Sequence, residues 1–299
     1  MSGRVAININ FDTLSEILGF PADFEDPTRG RVLDRFIEIA DRRGLKYSIY
    51  VVGRDLEAAG FRERIGALSR AGHEVGNHSW SHHMDLGMLN DAELEREVSL
   101  SHDAIAAATG SSPRGFIAPA WCGSGRLESL LSRKGYLYDT SSFPSWLLYP
   151  MIARLAIAYQ GDPKRDRLLH RGDWLNGMIG RRSLHQASGQ DRLMQFPVPT
   201  VAGFGLWHTM GMILPFDLYL SLLRVLAHGS EDFYYLCHPL DLLSADDIPS
   251  GLSSLPGLPR MTMPLAEKLR RFEAVLDVFA EAGRTFTTVE GIVQSGAGA

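Results

Sequence analysis

The sequence is poor in cysteine, in net charge and in long apolar runs, and each shortage excludes a class of protein. Of the 299 residues only Cys122 and Cys237 are cysteines, too few for a disulfide framework and too far apart for a zinc knuckle. The formal net charge of −5 argues against broad nucleic-acid binding, which normally shows as a basic surface. No apolar run reaches the roughly 18 residues of a bilayer-spanning helix.

The N-terminus lacks the features of a secretory signal. The first residues, MSGRVAININFD, enter an alternating strand pattern at once, without a charged segment followed by a long apolar one. The low cysteine content also suits a reducing compartment. We therefore expect a cytoplasmic protein.

Strand-like and helix-like segments alternate along most of the chain. The strand patterns VAININF, KYSIYVVG, HEVGNHS and EDFYYLCHP are separated by helix patterns such as RGRVLDRFIEIADRRG and DAELEREVSLSHDAIAAATG. This repetition predicts an α/β fold with a parallel sheet and outer helices, and in such barrels the chemistry lies at the carboxyl ends of the strands. The residues at or just past those predicted ends are Asp12, His78, Pro119, Asp139 and His238.

One region, at about 143–228, breaks the rhythm and is predicted to be an insertion in a single domain of residues 1–299. It holds apolar aromatic stretches, WLLYPMIARLAIAY and AGFGLWHTMGMILPFDLYLSLLRVLAHG, with the basic runs PKRDRLLHR and GRRSLHQ between them. The apolar stretches are too interrupted to span a bilayer. They can lie at a membrane surface, pack on the barrel or form a dimer contact; the alternation with basic runs favours the membrane surface.

Two histidines stand four residues apart in the stretch GHEVGNHSWSH, residues 72–82. If Ser79 to His82 turns helically, His78 and His82 share one face and can bind one metal ion. Asp12, at the end of the first predicted strand, is the natural third ligand. Two histidines and a carboxylate are a common catalytic zinc set with an open position for water. The spacing alone is weak evidence, because such pairs also occur on helix surfaces.

Five motifs in order make the chain resemble the polysaccharide deacetylases, also called the NodB-homology family or the family-four carbohydrate esterases. NFDT is similar to the first, aspartate-bearing motif, and GHEVGNHSWSH is similar to the H-[ST]-x-x-H metal motif. GFIAPAW, GYLYDTSS and YLCHP resemble the third, fourth and last motifs. The matches extend over nearly the whole chain.

The resemblance implies a distorted (β/α) barrel in which Asp12, His78 and His82 hold a divalent metal. It implies hydrolysis of an amide on an amino sugar, with the metal polarising the acyl carbonyl and holding the attacking water. His238 would protonate the departing amine, which suits an imidazole because its ordinary pKa is near neutral. Zinc is the expected metal, although cobalt, nickel and iron accept the same ligands.

The first motif departs from the family pattern, in which one aspartate is a base and another a ligand. In a branch of the family with D-x-D the second aspartate is the ligand, and resemblance to that branch implies that Asp12 is the ligand and that Asn10 stands at the base position. Strand alternation supports this alignment, because it puts Asn10 and Asp12 on one face and Thr13 on the other. An asparagine cannot accept a proton from water at neutral pH. Glu16, four residues beyond Asp12, is the candidate replacement; a solvated loop carboxylate is the alternative interpretation.

The third motif departs as well. The family often has R-x-P there, and this chain has Ile117 in place of the arginine, so base and arginine are lost together and neither charge is left buried without its partner. The side chains expected to contact the substrate are Asn10, Pro119, Trp121 and Asp139. A packed aromatic and a capped strand end would explain Trp121 and Asp139 equally well.

The substrate is expected to be an amino sugar linked to a lipid. The segment FEDPTRGRVLDRF is similar to that of family branches acting on small or lipid-linked amides, including enzymes that deformylate or deacetylate undecaprenyl-phosphate amino sugars at the inner face of the membrane. The sugar, the acyl group and the oligomeric state stay open. The alternatives are a hydrolase of a small amide, such as an allantoin-like compound, and a metal-binding module with an impaired active site.

Overall fold

The computed structural model describes residues 3–14, 24–248 and 259–296. The strands are β1 (Arg4–Phe11), β2 (Tyr47–Val51), β3 (Glu74–Asn77), β4 (Gly115–Phe116), β5 (Tyr138–Asp139), β6 (His185–Gln186), β7 (Met194–Gln195), β8 (Thr200–Val201), β9 (Phe204–Gly205), β10 (Phe233–Cys237) and β11 (Thr285–Thr287). The helices are α1 (Arg31–Arg43), α2 (Ala59–Arg70), α3 (Asp91–Thr109), α4 (Gly125–Arg133), α5 (Leu148–Ala158), α6 (Pro163–Leu169), α7 (Asn176–Ile179), α8 (Met210–Ile213), α9 (Phe216–Ala227), α10 (Pro259–Thr262), α11 (Leu265–Glu281) and α12 (Val289–Gly296).

The main sheet runs in the order β10-β1-β2-β3-β4-β5-β7-β6, and β11 pairs with β1. Every pairing in it is parallel except that of β6 with β7. The sheet curls into a half-barrel, and the carboxyl ends of its parallel strands lie at one edge. The predicted α/β class with a parallel sheet is confirmed.

Strand β1 shows why the sheet forms a two-sided core. Alternate side chains point to opposite faces, and both faces are buried. The odd-numbered positions, such as Ile7 and Phe11, join the core cluster that contains the helix residue Phe36. Ala6 packs instead with the barrel-facing residues that include Tyr50. Asp12 is at an even position one residue past the strand, so alternation places its side chain on the inner face of the sheet.

Helix α1 illustrates how the outer layer is built. Its buried residues recur at helical spacing, and Phe36 meets Phe272 of α11 edge to face with ring centroids 5.7 Å apart. Two arginines occupy its last turn, where positive charges interact favourably with the helix dipole. The helix ends at Gly44, whose φ of 64° allows its backbone N–H to bond the carbonyl of Ala40.

The segment at about 143–228, predicted as an insertion, contributes directly to the sheet. Strand β7 pairs parallel with β5, and β6 returns beside it. Helix α9 buries Tyr219 and Leu223 in the same core cluster as β1. Across the described ranges, none of the helices combines the length and apolarity needed to span a membrane.

Candidate metal centre

Asp12, His78 and His82 converge at the carboxyl edge of the sheet. Asp12 follows β1 and His78 follows β3, so parallel pairing brings both to the same edge. Asp12 Oδ1 lies 3.1 Å from His78 Nε2 and 3.4 Å from His82 Nε2. One donor atom from each residue lies within 4.8 Å of the other two. The predicted triad is thus assembled by the fold.

The chemistry of these atoms fits a divalent metal. Asp12 Oδ1 is buried and has no hydrogen bond of acceptable geometry, although two imidazole nitrogens lie beside it. His78 donates from Nδ1 to the carbonyl of Ile117 at 2.7 Å, so Nε2 is the ring nitrogen that faces the carboxylate and is available to a metal. Three lone-pair donors facing one point are a ligand set of the kind zinc and similar cations use.

Asp12 is kept ionised in this setting. Burial by itself would raise the pKa of the carboxyl, but the imidazoles of His82 and His78 outweigh burial and hold the pKa of Asp12 well below its usual range. A ligand carboxylate has to be deprotonated to bind a cation. The site therefore needs no change of charge on Asp12 before a metal enters.

The histidine pair is brought together by a loop, which corrects the predicted helical turn. Residues 78–82 have no helical segment, and both Ser79, at φ 64°, and His82, at φ 56°, adopt the left-handed region. Asn77 Oδ1 accepts from the Ser79 amide at 2.8 Å, and Ser79 Oγ accepts from the His82 amide at 3.2 Å. These short-range bonds turn the chain so that His82 faces back toward His78.

Glu97 of α3 holds the same loop from outside. Its carboxylate accepts from the amides of Trp80 at 3.1 Å and Ser81 at 2.9 Å, and from the Ser81 hydroxyl at 2.7 Å. Only 7% of Glu97 is exposed. Sequence reasoning missed this residue, although its position three residues after Leu94 on a buried helix face was a usable signal.

His238 lies beside the triad, directly after β10. Its Nε2 is 3.9 Å from Asp12 Oδ2, and its Nδ1 is 3.9 Å from Asp241 Oδ2. Asp241 also accepts from the His238 amide at 2.8 Å and pairs with Arg260. Burial, with a smaller contribution from Arg260, lowers the pKa of His238 to about 4, so the imidazole is neutral at neutral pH. Asp241 was not anticipated from the sequence.

The comparisons with known proteins give matches to one protein family and to one fold. The polysaccharide deacetylase family model matches residues 6–138, a range that contains Asp12, His78 and His82. This stretch of the chain is similar to the polysaccharide deacetylases. A peptidoglycan deacetylase from Helicobacter pylori is 28% identical over 184 residues, and a peptidoglycan deacetylase-like protein from Gibberella zeae is 28% identical over 149 residues. These alignments cover 58% and 46% of this chain but only 60% and 43% of the two relatives.

Solved structures support the half-barrel fold. A Mycobacterium smegmatis protein provisionally named a polysaccharide deacetylase superposes with a TM-score of 0.62 at 16% identity, covering 98% of this chain and 90% of its own. Puue allantoinase gives a TM-score of 0.60 at 12% identity, covering 97% and 89%. At such identities the likeness concerns the fold alone.

The departures from the polysaccharide deacetylase pattern are visible in the packing. Asn10 is 5% exposed and its Oδ1 meets no hydrogen-bond partner in the part of the chain that the structure describes, while Ile117 is fully buried. Thr13 donates its hydroxyl to Asp55 at 3.2 Å, away from the triad, as strand alternation predicted. Glu16 lies outside the described residues. The described part of the motif therefore offers an amide and no carboxylate at the base position.

Two of the predicted substrate contacts, Pro119 and Trp121, lie in a short turn after β4. Both are buried, and the Trp121 ring stacks on Phe143 with centroids 4.5 Å apart. Trp207 meets the same ring edge to face at 5.6 Å. The Trp121 indole thus packs between other aromatic rings, and its contact with substrate stays a prediction.

Asp139, at the end of β5, is held by neutral donors. Its Oδ1 accepts from the amide of Ser141 at 3.0 Å and from the hydroxyl of the same residue, and its Oδ2 accepts from Gln195 Nε2 at 2.8 Å. Ser141 Oγ in turn accepts from the Ala118 amide at 2.8 Å. Asp139 is therefore coupled to the turn after β4, and its role toward substrate stays a prediction.

Proposed function

We propose that this protein is a metal-dependent amidohydrolase that removes an N-acyl group from an amino sugar. The observation that carries the proposal is the convergence of Asp12, His78 and His82 with His238 beside them. The match of residues 6–138 to the polysaccharide deacetylase family model supports the same reaction class. A divalent cation bound at the triad supplies Lewis acidity, which polarises an acyl carbonyl and makes water a better nucleophile.

The remaining chemistry is proton transfer, and we assign it to this chain's own side chains. His238 Nε2 faces Asp12, and its neutral imidazole can take up a proton released by the attacking water and then deliver it to the nitrogen that leaves the acyl carbon. Asp241 holds the backbone amide of His238 and lies near its other ring nitrogen, which orients the ring. Asn10 cannot accept a proton from water, and Glu16 stays our candidate for the first acceptor of that proton.

We propose a lipid-linked amino sugar, such as one carried on undecaprenyl phosphate, as the substrate, with the protein at the inner membrane surface. The support is a patch of exposed apolar side chains, Leu175, Met178 and Ile179, followed directly by exposed Arg181 and Arg182. Apolar side chains beside cations suit an interface with anionic lipid. The printed names of the two curated relatives point instead to peptidoglycan.

The test is to load the protein with zinc and offer it three kinds of amide. These are N-acetyl and N-formyl amino sugars on undecaprenyl phosphate, N-acetylated peptidoglycan fragments, and allantoin, each with and without chelator. The mass of each product identifies any acyl group removed. His78→Ala should lose both the bound metal and the activity, whereas His228→Ala, which changes an exposed histidine at the end of α9, should keep both.

The outcomes separate the possibilities. Chelator-sensitive loss of an acyl group from the lipid-linked sugars alone supports the full proposal, and loss from the peptidoglycan fragments alone retains the reaction but rejects the lipid. Turnover of allantoin alone would reassign the site to small amides. Bound metal with no turnover of any amide would make the protein a metal-binding module.

A further inference from the structure

A cavity of about 700 Å³ opens at the end of β5, lined by segments on both sides of the sheet edge. Its polar wall includes Glu128 of α4, Asp139 of β5 and Gln195 of β7. Ser142 and Asn176 add further polar side chains. The volume lies within the range typical of small-molecule sites.

Two carboxyl groups share a single donor in this cavity. Gln195 Nε2 donates to Asp139 Oδ2 at 2.8 Å and to Glu128 Oε1 at 3.2 Å. Gln195 is only 6% exposed, yet its Oε1 has no hydrogen-bond partner among the described residues. A buried amide oxygen without a donor is costly unless something supplies one. Within the described residues the oxygen of Gln195 therefore lacks a donor, whereas Asp139 accepts from Ser141 and Gln195, and Glu128 accepts only from Gln195.

The two carboxyls also lack a cation. No ion pair involves Glu128 or Asp139 within the described ranges of the chain. Burial raises the pKa of Asp139 to about 6. Burial and the charge of Asp139 raise the pKa of Glu128 to about 7. Arg181 and His185 also line the cavity, as does Asp173, which is paired with Arg171, but neither Arg181 nor His185 forms an ion pair with Glu128 or Asp139 within the described ranges. Two carboxyls in a partly buried wall favour a ligand that carries positive charge and several N–H donors.

We propose that this cavity binds the ammonium group of an amino sugar whose amine is free. An ammonium presents three N–H donors, which match Glu128, Asp139 and the oxygen of Gln195. The hydroxyl-bearing lining, such as Ser142, suits the rest of a sugar ring. This inference rests on the proposed function, because deacylation of an amino sugar produces a free amine.

A series of hydrogen bonds connects the cavity to the metal centre. Asp139 bonds Ser141, which accepts from the amide of Ala118, and the preceding carbonyl, that of Ile117, fixes His78. The two sites thus occupy neighbouring strand ends. A glycan bound at the metal centre can place a deacylated sugar in the cavity, which would make the cavity a subsite for product or for a partly deacylated chain.

The experiment is calorimetric titration of the zinc-loaded protein with glucosamine and, separately, with N-acetylglucosamine. Glucosamine should bind saturably, and Glu128→Gln should weaken it at least about tenfold because a charged acceptor becomes neutral. Glu95→Gln changes an exposed glutamate on α3 and should leave the affinity unchanged. Binding should strengthen from about pH 5.5 to about pH 7.5 as the carboxyls ionise.

Further binding measurements test this inference separately from the proposed function. The metal-deficient His78→Ala variant should bind glucosamine as well as the intact protein does, since the cavity does not use the triad. Equal binding of N-acetylglucosamine, an affinity indifferent to Glu128→Gln, or displacement of glucosamine by calcium at stoichiometric amounts would each overturn the ammonium site. None of these results depends on turnover.

Discussion

Asn10 occupies the position at which the related family commonly carries a base, and this leaves the proposed reaction without an obvious proton acceptor. The side chain is buried, and its amide oxygen meets no donor. Glu16 is the nearest acidic residue in sequence to Asp12. His238 is the other group available, since its neutral imidazole lies 3.9 Å from Asp12.

We expect Glu16→Gln to lower kcat by about 100-fold or more while zinc content stays the same, because a general base typically contributes that much. Steady-state kinetics on the substrate found active, with metal analysis of the same samples, measures this. Glu25→Gln, which changes an exposed glutamate nearby, is the matched control. An unchanged kcat in Glu16→Gln would reject the assignment and leave His238 to accept and return the proton.

At the scale of elements, the loop of residues 78–82 depends on helix α3. Glu97 receives three hydrogen bonds from Trp80 and Ser81. On the other side, the amides of Gly53 and Arg54 donate to the carbonyls of Ser79 at 2.9 Å and Trp80 at 3.0 Å. The left-handed backbone at His82 is strained for a residue other than glycine, so the loop needs these contacts to keep its shape.

Removing the carboxylate should therefore weaken metal binding at a distance. Glu97→Ala is expected to raise the Kd for zinc about 10- to 100-fold, because residues that support ligands commonly have effects of that size. Competition against a chromophoric chelator measures the affinity, and Glu95→Ala on the exposed side of the same helix is the control. A Kd that is the same in both variants would show that the loop holds its ligand geometry without Glu97.

Features set by residues close together in sequence could be predicted, whereas features set by distant contacts could not. The helices and strands of the barrel were predictable, because hydrophobic periodicity reports burial residue by residue. The triad was predictable because strand ends and a short motif place it. The loop at 78–82 was not, since its path is set by Glu97 and Gly53, and the partners of Asp139 and His238 were missed because Gln195 and Asp241 carry no motif.

At the scale of the whole molecule, two buried histidines away from the triad connect stability to pH. His73 accepts from the Tyr47 amide at its Nδ1, 3.0 Å away, which requires that nitrogen to be unprotonated. His208 is fully buried, with Nδ1 2.9 Å from the Tyr235 hydroxyl. Burial is the main cause that lowers the pKa of each to about 4. Both are thus neutral in the folded protein at neutral pH.

The free energy of unfolding should fall as pH drops from about 6.5 toward about 4. In that window the unfolded chain binds protons at both histidines while the folded protein does not, so acid favours unfolding by about 2 kcal/mol for each histidine between pH 7 and pH 5. Urea unfolding with chelator present measures this without a contribution from metal release. His208→Phe should reduce the loss by the share of one histidine, about 2 kcal/mol, with His73 and His238 still contributing, whereas His228→Phe, at an exposed site, should not. A pH dependence unchanged in His208→Phe would show that His208 is already protonated in the folded core.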